Sequence, residues 1–327
     1  MAQQPVPEAP DYRVYKILFQ GDSVQVLVRS KKNEAQERKP LLFFCQGSLP
    51  VPLILLDKGV AFGTFPFNPE IFLNDYHIVI VGKPGIPLVC DVKNLQNDFA
   101  YRDSNGHFPA TYSRHNLLSY YVQRNISVLQ YLRKQPWAAH SGLVVAGHSE
   151  GSTIAAKMAM VQPAVTKLIY SGANPLGRIL TMIAQARKQG TGEGVIAEWK
   201  AIVNDPQQMN ASGGDTYKAT YEFSTPPIQY LEKIKVPVLV CYGTKDYSAP
   251  YNDYLQVEMI RRKRRNFTFK AYVGTEHNYF PVKENGATDY DTFNWDKVAK
   301  DWLHWLKGID LTQPQSAPDP VPPPAAP

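Results

Sequence analysis

The stretch Leu143-Val144-Val145-Ala146-Gly147-His148-Ser149-Glu150-Gly151-Ser152-Thr153-Ile154-Ala155-Ala156-Lys157-Met158 decides the fold. Its first residues form a short apolar run of the kind found in a strand buried on both faces, and its last residues repeat apolar positions at helical spacing. Between them a serine stands two residues from a glycine on either side. A chain that turns sharply from strand to helix forces its central residue into a strained conformation, and flanking glycines carry no Cβ to clash with the backbone that crowds such a turn. Gly147-His148-Ser149-Glu150-Gly151 therefore predicts a serine held out at the carboxyl end of a strand, beside a helix N-terminus whose N–H groups face a developing negative charge.

Working outward, further short apolar runs at 41–45, 78–81, 168–170 and 238–241, with an alternating one at 267–273, read as strands of a largely parallel sheet. Helical periodicity at 117–133, 152–161, 252–262 and 292–306 places helices between them, which predicts the α/β class with helices on both faces of the sheet. Two β-rich runs at 12–20 and 24–30, joined by Gly21-Asp22-Ser23, predict an opening hairpin. The interval 174–235 is too long for a plain crossover and contains helix-like stretches at 176–188 and 195–203 and a loop at Ser212-Gly213-Gly214. It is read as a helical cap inserted into a core made of 12–173 and 236–308, with an insertion that merely covers the sheet as the alternative.

A serine hydroxyl is a weak nucleophile near neutral pH and needs a base, which in turn needs an orienting acid. In chain order after Ser149, Asp246 follows the run 238–241 and His277 follows the run 267–273, so all three are expected on one rim of the sheet. His148 is tied to the turn itself and is expected to pack beneath it. For the oxyanion, the N–H of Glu150 is the first candidate donor, and that of Ser48, in Gln46-Gly47-Ser48 after the run 41–45, is the second.

With these residues the sequence resembles the α/β-hydrolase family over roughly Tyr12 to Leu306, with Gln46 in place of the histidine often found before that glycine. The resemblance implies a Ser149 nucleophile, a His277 general base and acid, and an Asp246 carboxylate that stabilises the imidazolium. It also implies hydrolysis through an acyl-enzyme, of a carboxylic ester in first place. A peptidase is the rival, because the elbow also resembles that of some prolyl-oligopeptidase relatives. An aminopeptidase needs an acid to hold the substrate amine, for which Glu150, Glu198 and Glu222 are candidates. A thioesterase acting on a nucleotide-bearing thiol needs cations, for which Lys83, Arg178 and Arg187 are candidates. A ligand-binding protein without catalysis is the alternative from another class.

Composition bounds the remaining choices. The chain has 327 residues, 44% of them hydrophobic and 20% charged, enough for a substantial core and unlike a disordered chain. No run reaches the roughly 20 apolar residues of a membrane-spanning helix. The net charge of +6 owes much to Arg261-Arg262-Lys263-Arg264-Arg265, read as a solvated helix end rather than a nucleic-acid contact. Cys45 and Cys241 are expected in buried strands and Cys90 in a loop. Asp98, Asp103 and His107 share a loop without metal-ligand spacing, so neither metal nor cofactor is expected. The aromatic segments 62–72 and 217–230 line a pocket or belong to the core. Met1 before Pro5, Pro7 and Pro10 resembles a start placed on a mature, cleaved end, which predicts export with a cytoplasmic location as alternative, and residues 1–11 and 309–327 read as disordered termini.

Overall fold

The computed structural model describes residues 12–210 and 215–311. The proposed cleaved start, the loop Ser212-Gly213-Gly214 and nearly all of the proline-rich tail lie outside the described residues. Strands β1 (Tyr12–Phe19) and β2 (Asp22–Arg29) form the expected antiparallel hairpin. Next come β3 (Leu41–Cys45), a small three-stranded sheet of β4 (Ile54–Asp57), β5 (Val60–Gly63) and β7 (Val89–Asp91), and β6 (His77–Val81). The chain continues through α1 (Ala110–His115), α2 (Leu118–Leu132), β8 (Leu143–His148), α3 (Glu150–Val161) and β9 (Val165–Ser171). Helices α4 (Arg178–Lys188), α5 (Gly192–Asn204), α6 (Tyr217–Phe223) and α7 (Ile228–Leu231) fill the interval before β10 (Val238–Gly243). Helix α8 (Ala249–Arg261), β11 (Phe267–Tyr272) and α9 (Trp295–Leu306) complete the described chain.

The main sheet has eight strands in the order β1-β2-β6-β3-β8-β9-β10-β11. From β6 to β11 every pairing is parallel, so the carboxyl ends of β3, β6, β8, β9, β10 and β11 share one edge. Each of the inner strands is apolar on both sides for a simple reason. In β3, Leu41, Phe43 and Cys45 face α2, α3 and α8, whereas Leu42 and Phe44 face the layer built on α9; β8 and β10 divide their side chains in the same way. Side chains such as Trp302 and Tyr170 are fully buried in these two layers.

Two expectations need correction. Cys90 lies in β7 rather than in a loop, half-buried, and burial together with the neighbouring Asp91 charge raises its thiol above the ordinary value. The small sheet itself was not foreseen, because its strands are three or four residues long and carry too little alternation to read. The basic run lies at the exposed end of α8, as expected of a solvated helix end, and part of it is paired: Arg261 and Arg262 with Glu258, Arg262 also with Glu232, while Arg264 donates to the carbonyls of Glu232 and Ile234.

Candidate active site

Ser149 stands between β8 and α3 with φ 56° and ψ −129°, a backbone conformation that a serine adopts only when its surroundings impose it. The two glycines make the turn possible. A Cβ on Gly147 would lie 2.2 Å from the carbonyl oxygen of Gly151, and one on Gly151 would lie 2.1 Å from that of Cys45, so α3 sits directly against the end of β3. Ser152 ties the turn to the neighbouring strand: its hydroxyl lies 2.6 Å from the Gly147 carbonyl and 2.7 Å from that of Ser171, and it accepts from the Ser171 N–H at 2.8 Å.

The loops after β10 and β11 bring the other two expected residues to the serine. His277 Nε2 is 2.9 Å from Ser149 Oγ, and His277 Nδ1 is 2.8 Å from Asp246 Oδ2. Asp246 is buried, and Ser248 donates to it twice, from its N–H at 3.0 Å and from its hydroxyl at 2.8 Å. Burial alone would raise the Asp246 carboxyl, but the His277 ring and the Ser248 donors outweigh it and hold the group below its ordinary value. Burial likewise opposes the charged form of His277, yet the hydrogen bond and charge of Asp246 prevail and raise its value. The arrangement suits a base that takes a proton at Nε2 and an acid that stays ionised.

His148 packs under the turn, as expected. It stands edge-on to Trp295, with Nδ1 3.0 Å from Ser171 Oγ and Nε2 3.3 Å from Asn278 Oδ1. Tyr279 extends this network through its hydroxyl, 2.5 Å from Ser171 Oγ. Burial, helped by the nearby His277, pushes His148 down to about 3, so it is neutral wherever the triad residues operate. Neither Ser171 nor Tyr279 was foreseen, although Tyr279 follows His277 by two residues. Its positive φ of 64° and full burial carry no mark in a single sequence.

Of the two expected oxyanion donors, Glu150 follows Ser149 directly in the chain, and Ser48 lines the same clefts as Ser149. The Ser48 carbonyl accepts from the Tyr112 hydroxyl at 2.7 Å, and the Gln46 amide donates to the Val81 carbonyl at 2.6 Å, which anchors the loop after β3 to β6. Glu150 is the first residue of α3, where no intrahelical acceptor exists for its N–H.

The Glu150 side chain belongs to a chain of charges that the sequence did not reveal. Lys83, after β6, donates to Oε1 at 2.8 Å, Arg178 from the start of α4 binds Oε2, and the same guanidinium binds Oδ2 of Asp215. Asn116 donates to Oδ1 of Asp215 at 2.7 Å. Burial would raise the Glu150 carboxyl, but the two cations hold it below its ordinary value, and it stays ionised. Glu150 is therefore unavailable for a substrate amine. Glu222 accepts from the N–H and hydroxyl of Ser119, and Glu198 is exposed on α5, so none of the three proposed amine anchors presents a free carboxylate at the serine. Lys83 is buried rather than at the mouth, and Arg187 is exposed on α4.

Two clefts meet at Ser149, Ser48 and His277. One, of about 320 Å³, is termed the polar cleft for the side chains of Glu150, Asn174, Arg178, Gln185 and Asp215, although Met182 and Phe223 also line it. The other, of about 440 Å³, is walled by Leu49, Phe62, Phe65, Phe99 and Trp295. The segment 62–72 thus divides: Phe62 and Phe65 line this cleft, whereas Phe67 and Phe72 are core. The segment 217–230 sends Phe223 to the polar cleft, where it is also buried. Asp98, Asp103 and His107 form local loop hydrogen bonds, and no cluster able to hold a metal ion occurs among the described residues.

The model of the prolyl oligopeptidase family matches residues 114–306, more than half of the chain and all of the triad. The chain belongs to the prolyl oligopeptidase family. It is a serine hydrolase with the α/β-hydrolase fold. Solved structures similar to this family member include Est1E from Butyrivibrio proteoclasticus, at 13% identity and a TM-score of 0.51 over 90% of this chain and 99% of that one. The acylaminoacyl peptidase of Pyrococcus horikoshii matches at 13% identity and a TM-score of 0.57 over 91% of this chain, which spans only 41% of that protein. A 2,6-dihydroxy-pseudo-oxynicotine hydrolase matches at 14% identity and a TM-score of 0.57, over 95% of this chain and 71% of that one. At these identities the likeness concerns the fold alone. No curated protein sequence matches the chain. No helix among the described residues is long and apolar enough to cross a membrane.

Proposed function

We propose that the protein hydrolyses carboxylic esters through an acyl-enzyme on Ser149. The observation that carries this reading is the continuous chain of hydrogen bonds from Ser149 through His277 to Asp246, set where two clefts meet. In the reaction His277 takes the Ser149 proton as Oγ attacks the carbonyl carbon, and Asp246 stabilises the imidazolium. The N–H groups of Glu150 and Ser48 receive the oxyanion. His277 then protonates the departing oxygen, and the same ring activates the water that releases the acid. The helices α4 to α7, over 174–235, act as a cap that walls the polar cleft. An ester is preferred to a peptide with a free amino terminus because Glu150, Asp215 and Glu222 are already engaged.

The test is labelling by a fluorophosphonate together with turnover of benzyl esters and an amino-acid arylamide, in the parent and in Ser149→Ala. Labelling and ester turnover that vanish in the variant, with ester kcat/KM above that of the arylamide, are expected. Faster arylamide cleavage would replace the esterase reading by the peptidase one, and no labelling of the folded protein would leave a ligand-binding protein.

A further inference from the structure

The two clefts differ in chemistry, and the difference bears on what the ester joins. In the polar cleft every carboxylate oxygen is already an acceptor. Glu150 takes Lys83 and Arg178, Asp215 takes Asn116 and Arg178, and Asp246 takes Ser248 and His277. A substrate ammonium entering here finds Glu150 and Asp215 already sharing cations and Asp246 buried behind His277 and Ser248, so no lone carboxylate awaits it. The Arg178 guanidinium is likewise divided between two carboxylates, and the Lys83 ammonium is buried against Glu150. Lys83 and Arg178 balance Glu150 and Asp215, which leaves Asp246 as the uncompensated charge while His277 is neutral. A substrate carboxylate therefore meets a negative cleft with no available cation. A charged group moved from water into such surroundings loses hydration without a partner to replace it.

An uncharged hydrogen-bonding group meets no such opposition. Gln185 and Thr181 line the cleft beside Arg178 and supply an amide and a hydroxyl proton, whereas Asn174 donates to the Thr181 oxygen at 3.0 Å and accepts from the Leu176 N–H at 2.9 Å. The opposite cleft presents Phe62, Phe65, Phe99 and Trp295, which suit an aromatic or branched aliphatic group.

We propose that the scissile ester joins an apolar group, held in the aromatic cleft, to an uncharged amide-bearing or hydroxylated group held in the polar cleft, and that the Arg178–Asp215 pair enforces this neutrality. The proposal rests on the esterase reading. Arg178 and Asp215 are specificity-determining residues and take no part in proton transfer.

The experiment compares benzyl esters of succinamic acid, succinic acid, 4-aminobutanoic acid and pentanoic acid, which present an amide, a carboxylate, an ammonium and a methyl group at similar reach. Because either side of the ester can occupy either cleft, a second set places phenylacetic acid on glycolamide, glycolate, ethanolamine and propanol. In at least one set the amide is expected to exceed both charged members by tenfold or more in kcat/KM. Asp215 is partly exposed in a cap loop, and Asp215→Asn removes one negative charge while keeping the shape. In that variant the carboxylate ester is expected to gain about tenfold relative to the amide, more at low salt than at high salt. Charged esters turned over as well as the amide in both sets, or an Asp215→Asn variant with unchanged ranking, would overturn the proposal while labelling at Ser149 left the esterase reading intact. Loss of all ester turnover and labelling would remove both.

Discussion

At the scale of the residue, the fold shifts two neighbouring imidazoles in opposite directions. His148 and His277 have ring centroids 4.9 Å apart. Burial among Trp295, Tyr279 and Ser171 drives His148 down to about 3, whereas contact with Asp246 raises His277 above its ordinary value. Of the two, only His277 has a carboxylate partner, so it is His277 whose imidazolium is stabilised. In the proposed mechanism His277 must be neutral in the free enzyme, and activity is expected to fall as pH drops through its raised value. We expect kcat/KM to rise with pH through a single limb centred above about 6.5, the ordinary histidine value. Asp246→Asn removes both the hydrogen bond and the charge that raise His277. It is expected to lower kcat by about 10⁴-fold and to shift the limb downward, read from the pH profile of benzyl ester hydrolysis. A limb that stays in place in the variant would show that Asp246 does not set the base.

At the scale of the element, the strand-to-helix turn depends on the absence of two methyl groups. Gly151 lies where any Cβ would sit inside the backbone of β3, so Gly151→Ala must push α3 away from the sheet and carry the Glu150 N–H with it. A loss of about 1–3 kcal/mol in stability is expected, seen as a lower urea midpoint, together with slower fluorophosphonate labelling. Gly194→Ala in α5, where the added methyl meets nothing beyond its own helix within 4 Å, is expected to leave labelling unchanged and to raise stability by up to about 1 kcal/mol. This turn was the most legible feature of the chain because its requirement is local: strand, glycine, serine, glycine and helix lie within a few residues. Asp246 and His277 were legible for a related reason, since each follows an apolar run that names its strand. The small sheet of β4, β5 and β7 was not, because such short strands are fixed by packing against Phe65, Phe67 and Leu53 rather than by their own pattern.

At the scale of the whole molecule, the sequence revealed the layers but not the contact between them at the site. Parallel strands buried on both faces leave a continuous apolar run in the chain, and amphipathic helices leave a periodic one, so core and class could be read directly. The charge chain joins Lys83, Glu150, Arg178 and Asp215, four residues spread over 133 positions of sequence, and no local pattern relates them. Sequence reading took Glu150 for an amine anchor and Lys83 and Arg178 for anion anchors, treating as separate what the fold pairs together. A buried charge is paired because the alternative is costly, and the partner is chosen by the tertiary structure alone.

That same chain fixes how the molecule moves. Glu150 belongs to the sheet's own helix and Arg178 to the segment over the cleft, so lifting the segment would strip a buried carboxylate of one of its two cations, at a cost of about 3–5 kcal/mol. One ion pair thus ties the first residue of α4 to the first residue of α3. Amide hydrogens of α4 are then expected to exchange with deuterium faster in Arg178→Met than in the parent, with those of α3 unchanged. A substrate that needs a wider passage on that side of Ser149 has first to break this pair.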